Sequence, residues 1–368
     1  MKKIFTVLTS IALTFALSFS AAFANDDALM KSQNYLKTIT LDSPDAVIAY
    51  EATGMEADYK ADALLNNFKE TDYTTASYGD LAKSIIAISL LGENPKDFNN
   101  TNLVEILENR VQEDGTLTND VNGGCGATIW TLMALETVNS PKVKAVADKL
   151  STMAMDNGAY WYEYKGQNAD LDTTGWAMEA LSVAGRSIYK AAISKAYTFV
   201  QSKLNSTYGY YDNWGGNADT QSCVLEGLSV AGYTLDTNAY NYLLSYQNED
   251  GTFNALNYST GQLEPNAYAS VEGARALGVI NNGSFVLKAR QDYTKTTTPV
   301  VTEPETPTKP TKPSTTTPAV KPETTTTEPK KETVKVVNTG DNTNVMAYVV
   351  AAIAAVGVIV LVIKSKKK

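Results

Sequence analysis

Five stretches of the chain are apolar or small around most of their circumference: Leu81 to Leu90, Thr128 to Leu135, Thr174 to Leu181, Gln221 to Leu228 and Ser270 to Leu277. Aligned on their final leucine they recur at a spacing of about 46 residues, the kind of period that marks a repeat architecture. A segment with no broad polar face predicts a helix buried on several sides. Gly92, Gly185, Gly232 and Gly278 stand near the ends of these stretches and predict left-handed C-caps. A weaker sixth copy runs from Asp45 to Gly54. Between the copies, Lys142 to Met155, Ile188 to Leu204 and Thr237 to Gln247 place apolar residues every three or four positions among polar ones, which predicts one-sided amphipathic helices. Small-residue helices alternating with amphipathic ones predict an all-α domain of two concentric layers. Six pairs close into a ring; an open solenoid of helical hairpins fits the same period.

The ends of the chain follow other patterns. Met1-Lys2-Lys3, an apolar run from Ile4 to Phe19 and Ala21-Ala22-Phe23-Ala24 give the charged, apolar and cleavage parts of a secretory signal peptide over residues 1–24. The repeat domain then occupies residues 25–293. Residues 294–335 are Thr, Pro, Lys and Glu with almost no large apolar side chain, a composition that forms no core and favours an extended, disordered stalk. At ~3.1 Å per residue its reach is on the order of 100 Å. Residues 345–363 are apolar and uncharged, about 19 residues, enough at ~1.5 Å rise each to cross a ~30 Å hydrocarbon core as a transmembrane helix. Lys364, Lys366, Lys367 and Lys368 in the tail, 364–368, predict that this end is cytoplasmic and the bulk of the chain outside.

Composition removes several chemistries. The chain has no histidine, so a Ser-His-Asp triad, His-ligated zinc and a histidine base are excluded, and no metal site or cofactor is evident. A net charge of -9 argues against nucleic acid as a partner. Cys125 and Cys223 either pair, in an oxidising exterior, or stay free; two cysteines are no disulfide framework.

Gln112-Glu113-Asp114-Gly115-Thr116-Leu117 and Gln247-Asn248-Glu249-Asp250-Gly251-Thr252-Phe253 each precede a small-residue helix. They resemble the Gln-x-x-Asp-Gly-x-aromatic signature of prenyltransferase and squalene-cyclase repeats, a resemblance that covers about Asp45 to Ile280. It implies an (α/α)6 toroid, a fold that also serves terpene cyclases, thioester proteins and the helical domain of transcobalamin and intrinsic factor. Gram-positive surface proteins resembling that helical domain are nearest in character. Just before the apolar span, Val336-Val337-Asn338-Thr339-Gly340-Asp341, within 336–344, is similar to a sortase sorting signal, with Val336 and Val337 where Leu and Pro belong. The resemblance implies cleavage between Thr339 and Gly340 and transfer to peptidoglycan if a sortase accepts the variant; otherwise the membrane span is the anchor.

Three sets of residues carry candidate chemistry. Asp170-Leu171-Asp172-Thr173-Thr174 resembles the acid motif of class II terpene cyclases, which implies Asp172 as a proton donor. Asp219 occupies the aligned place in the next repeat, however, and a recurrent Asp ahead of a helix also reads as an N-cap. Asp172, Asp219 and Glu264 read alternatively as glycosidase carboxylates. Gly124-Cys125-Gly126-Ala127-Thr128 is similar to the thioester site of complement-type toroids, but Thr128 replaces the required Gln; Cys125 is then a small residue near a helix terminus whose dipole lowers its pKa. Finally, Tyr160, Trp161, Tyr162 and Tyr164 in one loop, and Tyr208, Tyr210, Tyr211 and Trp214 in another, run into the N-termini of small-residue helices. They either line an aromatic mouth suited to sugar faces or a corrinoid, or fill the space between helix ends. The expectation is a cell-surface binding protein, tethered in the membrane, that takes a corrinoid, a glycan or a surface protein at this mouth. The B12 carriers enclose their ligand with a second β-domain, whereas here the segment after Ile280 runs into the stalk. The competing expectation is a cyclase-like or glycan-cleaving enzyme that uses Asp172 as acid.

Overall fold

A computed structural model describes residues 26–56, 68–120, 123–164, 168–211 and 216–297. Among them the chain is mostly helical with one small two-stranded sheet. In chain order the elements are α1 (Asp26–Leu36), α2 (Pro44–Ala52), α3 (Tyr78–Leu90), α4 (Leu103–Asn109), α5 (Cys125–Thr137), α6 (Val143–Met153), α7 (Leu171–Gly185), α8 (Lys190–Ser202), α9 (Ala218–Val230) and α10 (Thr237–Leu244), then β1 (Phe253–Asn257), β2 (Gln262–Asn266), α11 (Ala267–Asn282) and α12 (Phe285–Thr297).

The small-residue segments are α3, α5, α7, α9 and α11, and α2 is the weak sixth copy. Each packs on the next, and α11 packs back on α2, so that the six contact one another in a cycle. Their burial follows their composition: α5 is buried at nearly every position, whereas amphipathic α6 buries only Val146, Ala147 and Leu150. Helices α4, α6, α8 and α10 each pack on one or two members of the cycle, and α1 packs on α11 and α2.

Close backbone contact marks the join between last and first repeats. A Cβ on Gly278 would stand 2.5 Å from the Ala52 carbonyl carbon, so α11 and α2 approach nearer than any side chain permits. Gly278 is thus inside α11 and not its C-cap; Gly283, at φ 90°, takes that place. Gly92 and Gly232, at φ 75° and 76°, do follow α3 and α9, while Gly185 is the last residue of α7. Across the same join, Gln247 Nε2 donates to the Ala28 carbonyl at 2.9 Å and to Ser32 Oγ at 3.0 Å, and Asn282 Nδ2 donates to the Ala52 carbonyl at 2.9 Å.

The repeat signature is a turn that brings two layers together. The Asp114 and Asp250 carboxylates accept the N–H of Thr116 and Thr252, both at 3.0 Å. At Gly251, φ is 86° and a Cβ would lie 2.0 Å from the Lys31 carbonyl oxygen in α1; Gly115 meets Ala145 of α6 in the same way. Glycine is required there twice over, for the left-handed backbone and for the contact.

One element departs from the all-α expectation and another from the expected stalk. Residues 253–266 form an antiparallel hairpin that pairs Leu256 with Leu263, its turn closed at Gly261 with φ 68°. The period-two pattern responsible, Phe253, Ala255 and Asn257 against Asn254 and Leu256, is only five residues long. The segment after Ile280 does not run straight into a stalk: α12 extends through Thr297 and packs on α2, α3 and α5. Lys288 pairs with Glu51 at 2.8 Å, Arg290 with Glu136 at 2.7 Å, and Thr296 Oγ1 donates to the Gly92 carbonyl at 3.1 Å. These partners stand at the C-terminal ends of α2, α5 and α3, so α12 crosses that end of the cycle.

The signal-peptide segment 1–24, the stalk beyond Thr297, Thr339 and Gly340, the apolar span 345–363 and the basic tail lie outside the described residues. Among the described residues no helix is long and apolar enough to cross a membrane.

Candidate functional site

Six N-caps set the register of the inner helices: Ser43, Ser77, Gly124, Asp170, Asn217 and Asn266. Asp170 accepts the Thr173 N–H at 2.7 Å and Asn217 the Thr220 N–H at 2.8 Å. The capping role therefore belongs to Asp170 and Asn217, and the expectation that Asp172 and Asp219 cap their helices is corrected. Those two stand two residues further in, on the second helical residue.

Counting from each cap, the positions two, six and nine residues on lie along one helix face. The first row reads Asp45, Gly79, Gly126, Asp172, Asp219 and Tyr268; the second Ala49, Lys83, Trp130, Trp176, Cys223 and Glu272; the third Ala52, Ile86, Met133, Glu179, Glu226 and Arg275. Contacts among these side chains pass from helix to helix. Lys83 Nζ is 2.8 Å from Asp45 Oδ1 and 4.6 Å from the centroid of the Trp130 ring, and the Trp130 and Trp176 centroids are 5.7 Å apart. Arg275 Nε is 3.0 Å from Glu226 Oε2, and Arg275 Nη2 is 3.7 Å from Glu272 Oε1. Cys223 Sγ is 3.6 Å from Glu272 Oε2. At the α12 end, Ser284 Oγ donates to Glu179 at 3.0 Å and the Phe285 ring stacks on Trp130, centroids 6.3 Å apart. The rows thus face the inside of the cycle, and α12 covers their far end.

Charge in this interior is concentrated and unevenly compensated. Burial pushes the Asp219 carboxyl up to about 6, with Arg275 opposing, and pushes Glu272 up to about 7 against the same cation. Burial and then the neighbouring Glu226 push Glu179 well above the usual carboxylate range. Burial alone would lower Arg275, but Glu226 and Glu272 keep it charged. Several buried polar atoms here make no hydrogen bond: Asp219 Oδ1, Trp176 Nε1, Arg275 Nη2 and Ser222 Oγ. Leaving such atoms unmet costs about 1–3 kcal/mol each, so a run of them along one face is what a polar ligand or its hydration would satisfy.

The aromatic loops divide. Tyr160 and Tyr210 are fully buried and Trp161 nearly so, which for these three fits the filling of space between helix ends and not the lining of a mouth. The sequence offers a reason: Tyr160 N–H donates to Thr174 Oγ1 and Tyr210 N–H to Gln221 Oε1, so each loop is tied to its helix at that residue. Tyr162, Tyr164 and Tyr208 are exposed, as is Tyr268 of the first row. The Tyr162 ring is 6.3 Å from Trp176 and would collide with a side chain at position 126, so it overhangs the interior. Tyr211 is half-buried, its hydroxyl bonded to that of Tyr242. Trp214 lies outside the described residues.

Other expectations move elsewhere. Glu264 is on β2, where Asn257 and Thr260 each donate to it at 2.8 Å and hold its pKa down; it staples the hairpin and does not join Asp172 and Asp219. Cys125 and Cys223 are both buried and free. Burial raises the Cys125 thiol to about 12, overriding any lowering by the helix terminus. Among the described residues no group of three or more Cys, Asp and Glu is placed to hold a metal ion. Sequence reading missed Glu179, Glu226, Glu272 and Arg275, although charged residues inside otherwise apolar helices were the signal.

No family model matches the chain, and no curated protein matches it in sequence. Among solved structures it is similar to a protein from Actinoplanes, at 12% identity over 70% of this chain and 90% of that one with a TM-score of 0.44. It is also similar to a polysaccharide lyase, at 15% identity over 70% of this chain and 89% of that one with a TM-score of 0.44.

Proposed function

We propose that this chain is a glycan-binding protein of the cell surface: an (α/α)6 toroid whose ligand enters at the N-terminal pole of the inner helices, exported by the leader and held by the C-terminal span or by the peptidoglycan. The observation that carries the reading is the run of buried polar atoms that make no hydrogen bond, Asp219 Oδ1, Trp176 Nε1 and Arg275 Nη2, beneath the exposed rings of Tyr162 and Tyr268. A sugar carries hydroxyls that both donate and accept, which meets a carboxyl, an indole N–H and a guanidinium together, and an apolar face that stacks on tyrosine. The site differs from the one expected from sequence in that the carboxyl row contributes more than the aromatic loops do.

A second reading, glycan cleavage, is favoured by one observation. Burial raises Asp219 to about 6 and Glu272 to about 7, toward neutral pH, the direction a general acid needs. Asp219 then takes the role assigned from sequence to Asp172.

The test is binding of the full chain to cell-wall and host glycans, with corrinoids as a second arm, alongside release of reducing ends from each glycan. Retention of a glycan without reducing ends, weakened by Asp219→Asn, supports the binder. Release of reducing ends that Asp219→Asn abolishes replaces it by the enzyme, and a response to corrinoids alone overturns the glycan assignment.

A further inference from the structure

A cavity of about 850 Å³ opens at the other pole, between the C-terminal ends of α7 and α9, the first half of α8 and the side of α12. Its volume lies in the range of small-molecule sites, roughly 300–1,000 Å³. Val183, Ile193, Val230 and Leu287 line it with apolar surface, and Arg186, Lys190 and Arg290 bring three cations to it. No carboxylate is among its described lining residues, in a chain whose net charge is -9.

The three cations are not equivalent. Arg290 is paired with Glu136 at 2.7 Å, so its charge is largely met. Arg186 donates to the Val230 carbonyl, a neutral acceptor that fixes the guanidinium beside the cavity without cancelling its charge. Lys190 is exposed and opens α8, a helix of 13 residues whose first turn is capped by no side chain. The positive end of the helix adds to the two side chains in the same place and with the same sign.

We propose that this cavity binds a small amphipathic anion, a carboxylate or phosphate seated between Arg186 and Lys190 with an apolar body laid against Val183, Ile193, Val230 and Leu287. Charge complementarity sets the head and the apolar lining sets the tail. The site is separate from the N-terminal pole and does not depend on what binds there.

The experiment is photo-crosslinking of the full chain with a diazirine-tagged decanoate, mapped by peptide mass spectrometry. Labelling is expected on peptides from α7, α8 and α12, competed by decanoate but at least about tenfold less well by decanol, and reduced at least about tenfold by Lys190→Glu, in which an anion replaces the cation. Arg186→Gln is expected to act likewise, but it also removes the bond to Val230; Lys190→Glu, whose side chain is exposed, keeps the test clear of folding, with an unchanged melting temperature as the check. Capture of phosphatidylglycerol vesicles lost in the same variant would identify a lipid headgroup as the source of the anion. Labelling spread over the chain, equal competition by decanol, or labelling that Lys190→Glu leaves unchanged would overturn the proposal.

Discussion

Arg275 of α11 reaches across to Glu226 of α9 at 3.0 Å with both side chains almost wholly buried, and Glu272 stands one turn back at 3.7 Å from the same guanidinium. One cation thus serves two carboxylates inside the cycle. Replacing it by Met leaves both without a cation in a medium where ions are costly, and losses of about 3–5 kcal/mol accompany such a break. Arg275→Met is expected to lower the melting temperature by ten degrees or so, at roughly 2–4 °C per kcal/mol for a domain of this size. The double variant with Glu226→Gln should recover part of the loss, because one stranded charge is removed; calorimetry of the two variants checks both statements.

The raised carboxyls set a direction for pH. Asp219 goes from an ordinary 3.8 to about 6 and Glu272 from 4.5 to about 7. Below about pH 4 both are protonated, folded or unfolded, and burial carries no penalty. As pH rises the unfolded chain ionises first, so the stability due to these groups is lost between about pH 4 and pH 7. The melting temperature is expected to fall over that window, and Asp219→Asn and Glu272→Gln should each flatten their own part of the slope in a series of melts at constant ionic strength.

At the join between the last and first inner helices, Gly278→Ala puts a methyl 2.5 Å from the Ala52 carbonyl carbon, and neither backbone has a flexible end to yield. Overpacking of this kind typically costs about 1–3 kcal/mol. Gly92→Ala, with open space around its Cβ position, gives a control in which only the left-handed φ of 75° is strained. Denaturant melts of the pair separate the two effects; no loss from Gly278→Ala would mean that the close approach contributes nothing.

Tyr160 and Tyr162 are two residues apart and should behave oppositely. Tyr160 is fully buried, so Tyr160→Ala is expected to cost about 3–5 kcal/mol through the cavity it leaves. Tyr162 is 51% exposed over the interior, so Tyr162→Ala should change stability by about 1 kcal/mol or less and weaken glycan retention instead. Melts and a glycan-binding assay on both variants check the contrast.

The repeat was legible because a buried helix and a one-sided helix differ in composition at every turn, and that difference recurs from α3 to α11. The capping of α7 and α9 was misread by two residues, since Asp170, Asp172, Asn217 and Asp219 are all residue types that accept backbone N–H bonds, and only the backbone shows which is first. The hairpin at Phe253 was hidden by its brevity. Helix α12 was hidden because its apolar positions, Phe285, Val286, Ala289 and Tyr293, are followed at once by the Thr-rich run. The interior carboxylates were visible as letters; what sequence lacked was the sideways relation between repeats that sets Glu179, Glu226 and Arg275 in one row.

A cycle of contacts also changes what it means for the protein to have ends. Gly278 against Ala52, and Gln247 against Ala28 and Ser32, make the junction between the final and first repeats as close as those within the chain, only without a peptide bond. Such a domain has no outermost repeat to fray, and trimming one copy would expose two faces at once. Joining residues near the start of α1 to those after the end of α12 and opening the chain at another turn should therefore yield a circular permutant with the same core.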